Sequence, residues 1–450
     1  MDRFEIRGGV RLTGSLTVKG SKNAALPMMA AGLLTDHPFV LRDVPELADI
    51  ENMRRLLGEL GCHVDYTPPE GLQSPGGVMK LRVIDPAVHH ARYDIVRTMR
   101  ASICCLGPML AKRGHARVSM PGGCSIGERP VDLHLRGLAA LGADVKLEGG
   151  DIIAKVPKVG GRAGRLRGAR VFLGGPFGST VLGTANVMSA ATLAEGVTVI
   201  ECAACEPEIV DLANLLISMG ARIEGAGSPR LTIHGVSELG PADYRVMADR
   251  IEAGTYMCAA AITSGDITLE NCPADALMAA TDRLEFMGVT VTRDEAADPL
   301  RTTCRVTASR VIQPVEITTQ PHPGFPTDLQ AQFMAALTLA DGNSVITERI
   351  FTERFLHVAE LSRMGAKVYR QGPTVIVSGV RKLIGAPVMA SDLRASACLV
   401  LAGLAAEGLT TIHRVYHLDR GYDRMDERLR LLGARVERVA ERESATAVVG

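Results

Sequence analysis

Six copies of one short pattern constrain the fold of this chain more than any other feature. In each copy a helix ends in Leu-Gly or Met-Gly and a short strand follows, the six glycines being Gly61, Gly142, Gly220, Gly288, Gly365 and Gly433. Glycine just past the last helical turn is a common helix stop. The spacing between successive glycines runs from 68 to 81 residues. A period of this length indicates a repeated supersecondary unit.

Another helix, rich in alanine and leucine, precedes each of these elements and is the first helix of the repeat. It ends in a tight turn before an apolar strand, and the six turns are Asp36-His37, Arg113-Gly114, Glu195-Gly196, Ser264-Gly265, Asp341-Gly342 and Glu407-Gly408. The predicted unit is therefore helix, strand, loop, helix, strand, turn and strand. A unit of this size cannot bury both helices and its sheet alone, so we expect an α/β fold in which three units share each core.

The second repeat is longer than the others, and its extra length is informative. Turn and glycine are 28 residues apart there, against 23 to 25 in the other repeats, and the excess falls in the glycine-rich segment 121–130. We expect a mobile loop with Cys124 at its tip. Arg129 and a helix starting at Pro130 would favour the thiolate, which predicts a proton donor or nucleophile. An incidental cysteine in a flexible loop is the alternative.

Charged side chains recur at matching points of the repeats. Five repeats carry one 14 or 15 residues before the turn, where the first helix opens, namely Lys22, Arg100, Arg250, Asp328 and Arg394; the third has Leu182 instead. Arg129, Arg354 and Arg420 precede the second helix. Helix N-termini bind anions, so the set predicts a strongly anionic ligand. For any single position an ordinary surface ion pair is the alternative.

Composition excludes several other classes of protein. Lys+Arg and Asp+Glu number 50 each, which argues against a nucleic-acid partner. No signal segment or membrane-spanning apolar run is apparent, and ten cysteines without a regular framework fit a reducing cytoplasm. Cys202 and Cys205 have C-x-x-C spacing but no second pair or histidines nearby, so we expect no metal or redox site at these two cysteines. The cysteines at 62, 258, 272, 304 and 398 are predicted to be small core residues.

Nine motifs in order resemble the enolpyruvyl transferase family over nearly the whole chain. They are 20–27 (GSKNAALP), 98–102 (TMRAS), 121–134 around Cys124, 206–211 (EPEIVD), 249–255 (DRIEAGT), 325–332 (FPTDLQAQ), 354–358 (RFLHV), 392–397 (DLRASA) and 419–422 (DRGY). The resemblance implies two similar domains, each an inside-out α/β barrel of three units with the substrate cleft between them. These would be residues 22–247, and residues 1–21 with 248–450, joined by two chain crossings.

The resemblance also implies an activity. The chain is expected to transfer the enolpyruvyl group of phosphoenolpyruvate to the 3′-hydroxyl of UDP-N-acetylglucosamine and release phosphate, without a cofactor or a metal. This is the first committed step of peptidoglycan precursor synthesis, and fosfomycin inhibits it by alkylating the loop cysteine. No nucleic-acid or membrane partner is expected, and oligomeric state is left without a prediction.

Site residues follow from the resemblance position by position. Catalysis is assigned to Cys124 as general acid and Asp328 as base, with Lys22 and Arg420. Phosphoenolpyruvate binding is assigned to Lys22, Asn23, Arg129, Arg354, Arg394 and Arg420. Binding of UDP-N-acetylglucosamine is assigned to Asn23, Arg100, Arg129, Pro130, Val131, Asp132, Leu133, Asp328 and Ile350.

The chain departs from the family pattern in places, and two other functions compete. Residues 173–184 only partly resemble the uridine-contacting stretch, and Cys205 stands where arginine is common. Glu128 adds a negative charge beside Arg129. One alternative is the sister reaction on shikimate 3-phosphate, whose enzyme shares the repeat but lacks the loop cysteine. The other is a non-catalytic paralogue that binds the UDP-sugar, against which the intact set of chemical residues argues.

Overall fold

The computed structural model describes residues 2–121, 131–158, 164–296, 298–309 and 311–440. Its α-helices are Lys22–Ala31 (α1), Ala48–Glu59 (α2), Tyr93–Val96 (α3), Leu106–Arg113 (α4), Asp132–Ala140 (α5), Val181–Ala191 (α6), Pro207–Ser218 (α7), Arg250–Ile262 (α8), Met278–Phe286 (α9), Gln330–Leu337 (α10), His357–Arg363 (α11), Leu393–Ala405 (α12) and Met425–Leu431 (α13). Short 3-10 helices span Gly32–Leu34, Arg100–Cys105, Ala274–Leu277, Thr327–Leu329 and Val415–Arg420.

The strands form six four-stranded sheets. In chain order they are Asp2–Arg7 (β1), Thr13–Thr17 (β2), Phe39–Val44 (β3), Cys62–Thr67 (β4), Gly77–Val83 (β5), His90–Ala91 (β6), His115–Ser119 (β7), Asp144–Glu148 (β8), Asp151–Lys155 (β9), Arg170–Phe172 (β10), Val197–Glu201 (β11), Arg222–Glu224 (β12), Arg230–His234 (β13), Ala242–Arg245 (β14), Asp266–Cys272 (β15), Val289–Arg293 (β16), Thr302–Ala308 (β17), Glu316–Thr318 (β18), Asn343–Thr347 (β19), Lys367–Gln371 (β20), Thr374–Ser378 (β21), Pro387–Met389 (β22), Leu409–His413 (β23) and Arg435–Ala440 (β24).

All six sheets share one topology, which confirms the repeat. Their strand orders are β14-β3-β5-β4, β6-β7-β9-β8, β10-β11-β13-β12, β2-β15-β17-β16, β18-β19-β21-β20 and β22-β23-β1-β24. In each, the first two strands are parallel and the other neighbours antiparallel. The N-terminal strand β1 completes the sixth sheet, between β23 and β24.

The first helix of each repeat lies in a core. Helices α1, α4 and α6 are in mutual contact through their own turns and the adjoining 3-10 helices, and α8, α10 and α12 contact one another. All thirteen residues of α8 are buried, as expected for a helix surrounded by protein on every side. Sheets therefore lie outside the central helices, which is the inside-out barrel arrangement.

The glycine and cysteine predictions are confirmed. The six repeat glycines have φ between 79° and 101°, the left-handed region that ends a helix. The five cysteines predicted for the core are buried, whereas Cys202 and Cys205 are half-buried. Metal sites and membrane-spanning helices are a separate question. Within the described residues, no group of three or more His, Cys, Asp or Glu side chains is placed to hold a metal ion. Over the same residues, no helix combines the length and apolarity needed to cross a membrane.

The chain forms two compact units. We call residues 19–249 with 320–324 the inner unit, and residues 1–18, 250–319 and 325–450 the terminal unit. The chain thus passes between units at four points, not the expected two, because residues 320–324 belong to the inner unit. There the backbone N–H of His322 donates to Glu206 (3.4 Å), and Pro321 lies against Gly178.

Two crossing segments pair with each other inside the inner unit. The N–H of Ser21 donates to the carbonyl of Met247, and that of Asp249 donates to Lys19, both at 2.7 Å. Between them, Gly20 has no room for a side chain, since a Cβ there would lie 1.7 Å from the Asp43 carbonyl oxygen. Glycine is therefore required at position 20.

Candidate active site

Three predicted site residues meet in the terminal unit, and we call them the Asp328 cluster. Asp328 Oδ1 accepts from Arg354 Nη1 at 2.8 Å, and its Oδ2 accepts from Arg394 Nη2 at 3.0 Å. The arginine side chains are 6% and 3% exposed, whereas that of Asp328 is 26% exposed. The carboxylate is thus the most accessible member of a cluster whose cations are nearly buried.

Repeat geometry brings these side chains together. Asp328 lies in the 3-10 helix that leads into α10, and Arg394 is the second residue of α12. Asp392 caps α12 by accepting from the N–H groups of Arg394 and Ala395. Because α10 and α12 pack together, their N-terminal side chains converge. Charged residues predicted to open central helices therefore do so in this unit.

The arginines keep Asp328 ionised. Burial by itself would raise the pKa of Asp328, but the charges and hydrogen bonds of Arg394 and Arg354 lower it well below its usual value. Two further carboxylates belong to the surroundings, Asp392 at the start of α12 and Glu348, which shares the Thr327 hydroxyl with Arg354.

Tyr422 anchors Arg394 from the other side. Arg394 Nη1 donates to the Tyr422 hydroxyl at 3.1 Å. Thr255 Oγ1 donates to the Ile251 carbonyl, so its oxygen accepts from the Tyr422 hydroxyl at 2.9 Å. Gln332 Nε2 contacts both hydroxyl groups and donates to the Asp328 carbonyl oxygen. This network fixes the guanidinium group in one orientation.

Ile350 is tied to the same region through Glu348. The half-buried Ile350 follows strand β19, and its N–H donates to Glu348 Oε1 at 2.8 Å. Glu348 Oε2 accepts from the hydroxyl of Thr327, the neighbour of Asp328. The predicted UDP-sugar residue and the predicted base are therefore connected by one carboxylate.

Arg420, another predicted site residue, belongs to the terminal unit and lies near His417. It ends the 3-10 helix Val415–Arg420 and is half-buried. Burial, followed by the charges of Arg414 and Arg420, lowers the pKa of His417. Burial also lowers the pKa of His357 to about 4, where Asp392 opposes and Arg354 assists the shift. Both histidines are neutral at pH 7.

In the inner unit, Lys22 opens α1 beside two carboxylates. Its Nζ donates to Asp49 Oδ2 at 3.2 Å, and its backbone N–H donates to Asp249 Oδ2 at 3.3 Å. Ser21 caps the helix by accepting from Ala24. Lys22 is buried and Asn23 is half-buried. The predicted phosphate-binding lysine is thus held by acidic neighbours at a helix N-terminus.

A second group of predicted residues lies near Arg100, which opens the 3-10 helix Arg100–Cys105. Burial, and after it the charge of Arg100, lowers the pKa of His134 to about 3. Asn186 Nδ2 donates to His134 Nδ1, so the neutral ring carries its proton on Nε2. Helix α5, which carries His134, begins at Asp132, close to the predicted start.

The predicted UDP-sugar residues 131–133 differ in exposure. Val131 is buried, Asp132 is exposed and Leu133 is half-buried. Leu133 packs over Gly175, where a Cβ would lie 3.2 Å from its side chain, so α5 contacts the divergent segment 173–184. Cys124, Arg129 and Pro130 lie outside the described residues, as does Glu128.

Sequence reasoning missed two residues that contact predicted site residues. Glu348 and Asp49 each contact a predicted site residue, yet neither lies in a motif used for the resemblance. The signal for Glu348 is a glutamate directly after an apolar strand and two residues before Ile350. For Asp49 it is an acidic residue in the first turn of an amphipathic helix that is nevertheless buried.

Comparison with known proteins agrees with this architecture. Residues 6–429 match the family model described as EPSP synthase (3-phosphoshikimate 1-carboxyvinyltransferase). The solved structure of the enolpyruvyl transferase NikO from Streptomyces tendae superposes with a TM-score of 0.84 at 25% identity, covering 98% of this chain and 99% of that one. EPSP synthase from Acinetobacter baumannii shares the fold, with a TM-score of 0.73 at 18% identity, covering 98% of this chain and all of that one.

Sequence relatives are much closer. The UDP-N-acetylglucosamine 1-carboxyvinyltransferase of Anaeromyxobacter sp. (strain Fw109-5) is 50% identical over 97% of this chain and 99% of its own length. That of Nitratidesulfovibrio vulgaris (strain DSM 19637 / Miyazaki F) is also 50% identical, over 98% of this chain and 100% of its own length. Since fold, repeat and sequence agree from end to end, this chain belongs to the enolpyruvyl transferase family, among the UDP-N-acetylglucosamine 1-carboxyvinyltransferases.

Proposed function

We propose that the protein transfers the enolpyruvyl group of phosphoenolpyruvate to the 3′-hydroxyl of UDP-N-acetylglucosamine and releases phosphate. The observation that carries this proposal is the Asp328 cluster, an ionised carboxylate held by Arg354 and Arg394. An acceptor of a proton beside anchors for an anionic substrate is what this reaction requires. The relatives named above carry the same activity in their names.

In the proposed addition step, the sugar 3′-oxygen attacks C2 of phosphoenolpyruvate and Asp328 takes its proton. The Cys124 thiol gives a proton to C3, which makes a methyl group and a tetrahedral intermediate. In the elimination, a proton from C3 returns to the Cys124 thiolate, the bond between C2 and the phosphate oxygen breaks, and the departing phosphate takes up the proton that Asp328 received. Lys22, Arg129 and Arg420 are proposed to stabilise the phosphate, and fixed cations of this kind are often the largest catalytic contribution.

The low pKa of Asp328 has a place in this proposal. In the free protein, two arginines make the carboxylate a weak base. The negative charge of a substrate bound beside either guanidinium group offsets part of that stabilisation, so the pKa of Asp328 rises toward its usual value. Binding of phosphoenolpyruvate would thereby strengthen the base that the reaction needs.

The remaining site roles are proposals of the same kind. Arg354 and Arg394 would hold the carboxylate of phosphoenolpyruvate, for which the guanidinium fork is suited, with Asn23 beside them. Arg100, Pro130, Val131, Asp132, Leu133 and Ile350 would line the UDP-sugar site. We further propose that the two units are the enolpyruvyl transferase domains, that the protein acts in the cytoplasm in peptidoglycan precursor synthesis, and that fosfomycin inhibits it.

A phosphate-release assay tests the proposal directly. Purified protein with phosphoenolpyruvate is expected to release phosphate when UDP-N-acetylglucosamine is added, and not when shikimate 3-phosphate replaces it. Turnover of shikimate 3-phosphate would support the sister reaction, whereas binding of the UDP-sugar without turnover would support a non-catalytic paralogue.

Variants of the loop cysteine test its assigned role. Cys124→Ser is expected to be largely inactive, because a hydroxyl is a far weaker acid than a thiol. Cys124→Asp is expected to keep activity and lose fosfomycin sensitivity, since a carboxylic acid donates a proton but attacks an epoxide poorly. Peptide mass mapping should place the fosfomycin adduct on Cys124 alone. An adduct elsewhere, or full activity of Cys124→Ser, would remove Cys124 from the mechanism.

A further inference from the structure

Glu348 is a fully buried carboxylate at the meeting point of three chain segments of the terminal unit. Its Oε1 accepts from the Thr319 hydroxyl at 2.6 Å and from the N–H groups of Ile350 and Phe351 at 2.8 and 2.9 Å. Its Oε2 accepts from the Thr327 hydroxyl at 2.8 Å. Buried charge is costly unless hydrogen bonds satisfy it, and here four donors do so.

Each segment bonded to Glu348 bears on the candidate site. Thr327 directly precedes Asp328 in a 3-10 helix, and Ile350 and Phe351 begin the loop that reaches Arg354. Thr319 is the residue after β18, and its oxygen in turn accepts from the N–H of Arg349 at 2.8 Å. One side chain thus joins the end of β18, the 3-10 helix that carries Asp328 and the loop that carries Arg354.

The link through Thr327 is directional. A carboxylate only accepts hydrogen bonds, so the Thr327 proton points to Glu348. The Thr327 oxygen is then free to accept from Arg354 Nη1 at 3.1 Å, and the same Nη1 donates to Asp328 Oδ1 at 2.8 Å. The hydroxyl orientation that Glu348 imposes is therefore the one that receives Arg354.

We propose that Glu348 is a positioning residue of the reaction, which sets the orientation of Arg354 relative to Asp328 through Thr327 and fixes the backbone at Ile350. This inference deepens the proposed function and rests on it for its kinetic readout. Glu348 is not proposed to touch substrate. Its effect is on geometry, where errors of about 1 Å cost up to roughly 100-fold in rate.

The isosteric variant Glu348→Gln separates positioning from folding. With its amide oxygen at the Oε1 position it retains the bonds from Thr319, Ile350 and Phe351. Its NH₂ group then faces Thr327 and competes with Arg354 for the hydroxyl oxygen. We expect kcat to fall by about 10- to 100-fold while the Tm falls by less than about 4 °C, roughly one lost hydrogen bond.

Two valine substitutions provide the matched pair. Thr327→Val and Thr319→Val each remove one hydroxyl from Glu348, but only Thr327 also contacts Arg354. Positioning predicts that Thr327→Val reproduces the kcat loss of Glu348→Gln, and that the double variant is no worse than either single one. Thr319→Val should lower the Tm at least as much and kcat much less. If both valine variants lose kcat in proportion to Tm, Glu348 is only structural and the proposal is wrong.

A control carboxylate and a structural readout complete the test. Glu201→Gln alters a carboxylate at the end of β11 that accepts from Arg170 and Arg230, and should leave kcat unchanged. A crystal structure of Glu348→Gln should show the contact between Thr327 Oγ1 and Arg354 Nη1 broken and Arg354 shifted on Asp328. If these distances are unchanged, the proposal for Glu348 is wrong, whatever the activity of the wild type. A wild type that turns over neither UDP-N-acetylglucosamine nor shikimate 3-phosphate would refute only the proposed function.

Discussion

The two units hold their predicted cations in opposite ways. In the inner unit a single lysine, Lys22, lies beside two carboxylates, Asp49 and Asp249. In the terminal unit two arginines share one carboxylate, Asp328. Both arrangements sit at the start of a central helix, at equivalent points of the repeat. One scaffold position thus holds a cation between carboxylates in one unit and a carboxylate between cations in the other.

The choice of cation follows from this difference. Arginine presents a rigid fork with several donors, which lets Arg394 contact Asp328 and Tyr422 together. Lysine is a compact charge on a flexible stem, so Lys22 can exchange Asp49 for another partner without dismantling a network. The terminal unit is built for fixed geometry, and the lysine of the inner unit for exchange of partners.

Removal of the shared carboxylate should have the largest effect. Asp328→Asn is expected to lower kcat by roughly 100- to 10,000-fold, the usual contribution of a general base, with a smaller change in KM. Asp341→Asn, on the exposed turn of the same repeat, is the control and should retain full activity. Steady-state phosphate release decides, and an Asp328→Asn enzyme within threefold of wild type would exclude Asp328 as the base.

Exchange of the two cation types should sharpen the contrast. Arg394→Lys keeps the charge but loses the fork, so we expect about a 100-fold loss in kcat/KM for phosphoenolpyruvate. Lys22→Arg keeps the charge at a site that needs only a point charge, and should cost about 10-fold. Equal losses in the two variants would mean that the units do not differ as described.

Asp49→Asn tests the contact between Lys22 and Asp49. Because the neutral amide still accepts a hydrogen bond from Lys22 Nζ, we expect no more than about a fivefold change in KM for phosphoenolpyruvate and little change in kcat, close to the worth of one hydrogen bond. Kinetics at low and high salt provide the check. A loss as large as that of Asp328→Asn would show that Asp49 takes part in the chemistry.

The smallest expected effect is on stability. Acid should remove the difference in unfolding free energy between the wild type and Asp328→Asn. The folded-state pKa of Asp328 is lowered, so its ionised form stabilises the fold above the ordinary carboxyl pKa of about 4 and loses that effect as pH falls through the lowered value. At pH 7 we expect Asp328→Asn to be less stable by about 2 kcal/mol, since two nearly buried arginines lose their partner. Thermal unfolding at pH 7, 5, 4 and 3 should show this gap closing below pH 4. A gap independent of pH would contradict the assignment.

The regular parts of the fold could be predicted from sequence because simple rules govern them. The six repeat glycines need left-handed backbone, and the alanine-rich helices are buried on all sides. Both features can be predicted from short stretches of sequence. Residues 320–324 could not be assigned to the inner unit by such rules. Their placement depends on contacts of His322 and Pro321 with residues more than a hundred positions away.

The candidate site divides along the same line. Arg394 and Asp328 could be placed at helix starts because their spacing from the turns is regular. Their contact with each other, and the dependence of both Ile350 and Thr327 on Glu348, arise from packing of three distant segments. Side chains such as Glu348 follow no local sequence pattern. The sequence therefore indicates the charged residues at helix starts, but not the side chains that hold their neighbours in place.

The first strand of the chain is also the last to find its place. Within the described residues, strand β1, at Asp2–Arg7, pairs with β23 and β24, which begin at Leu409 and Arg435. During synthesis at about 5 to 20 residues per second, β1 leaves the ribosome and waits roughly 20 to 80 s for its neighbours. Residues 19–249 are complete well before then and can become ordered first. A ribosome that stalls late would leave residues 19–249 attached to an unpaired strand whose Phe4 and Ile6, buried in the folded protein, are exposed, and chaperones retain nascent chains of this kind.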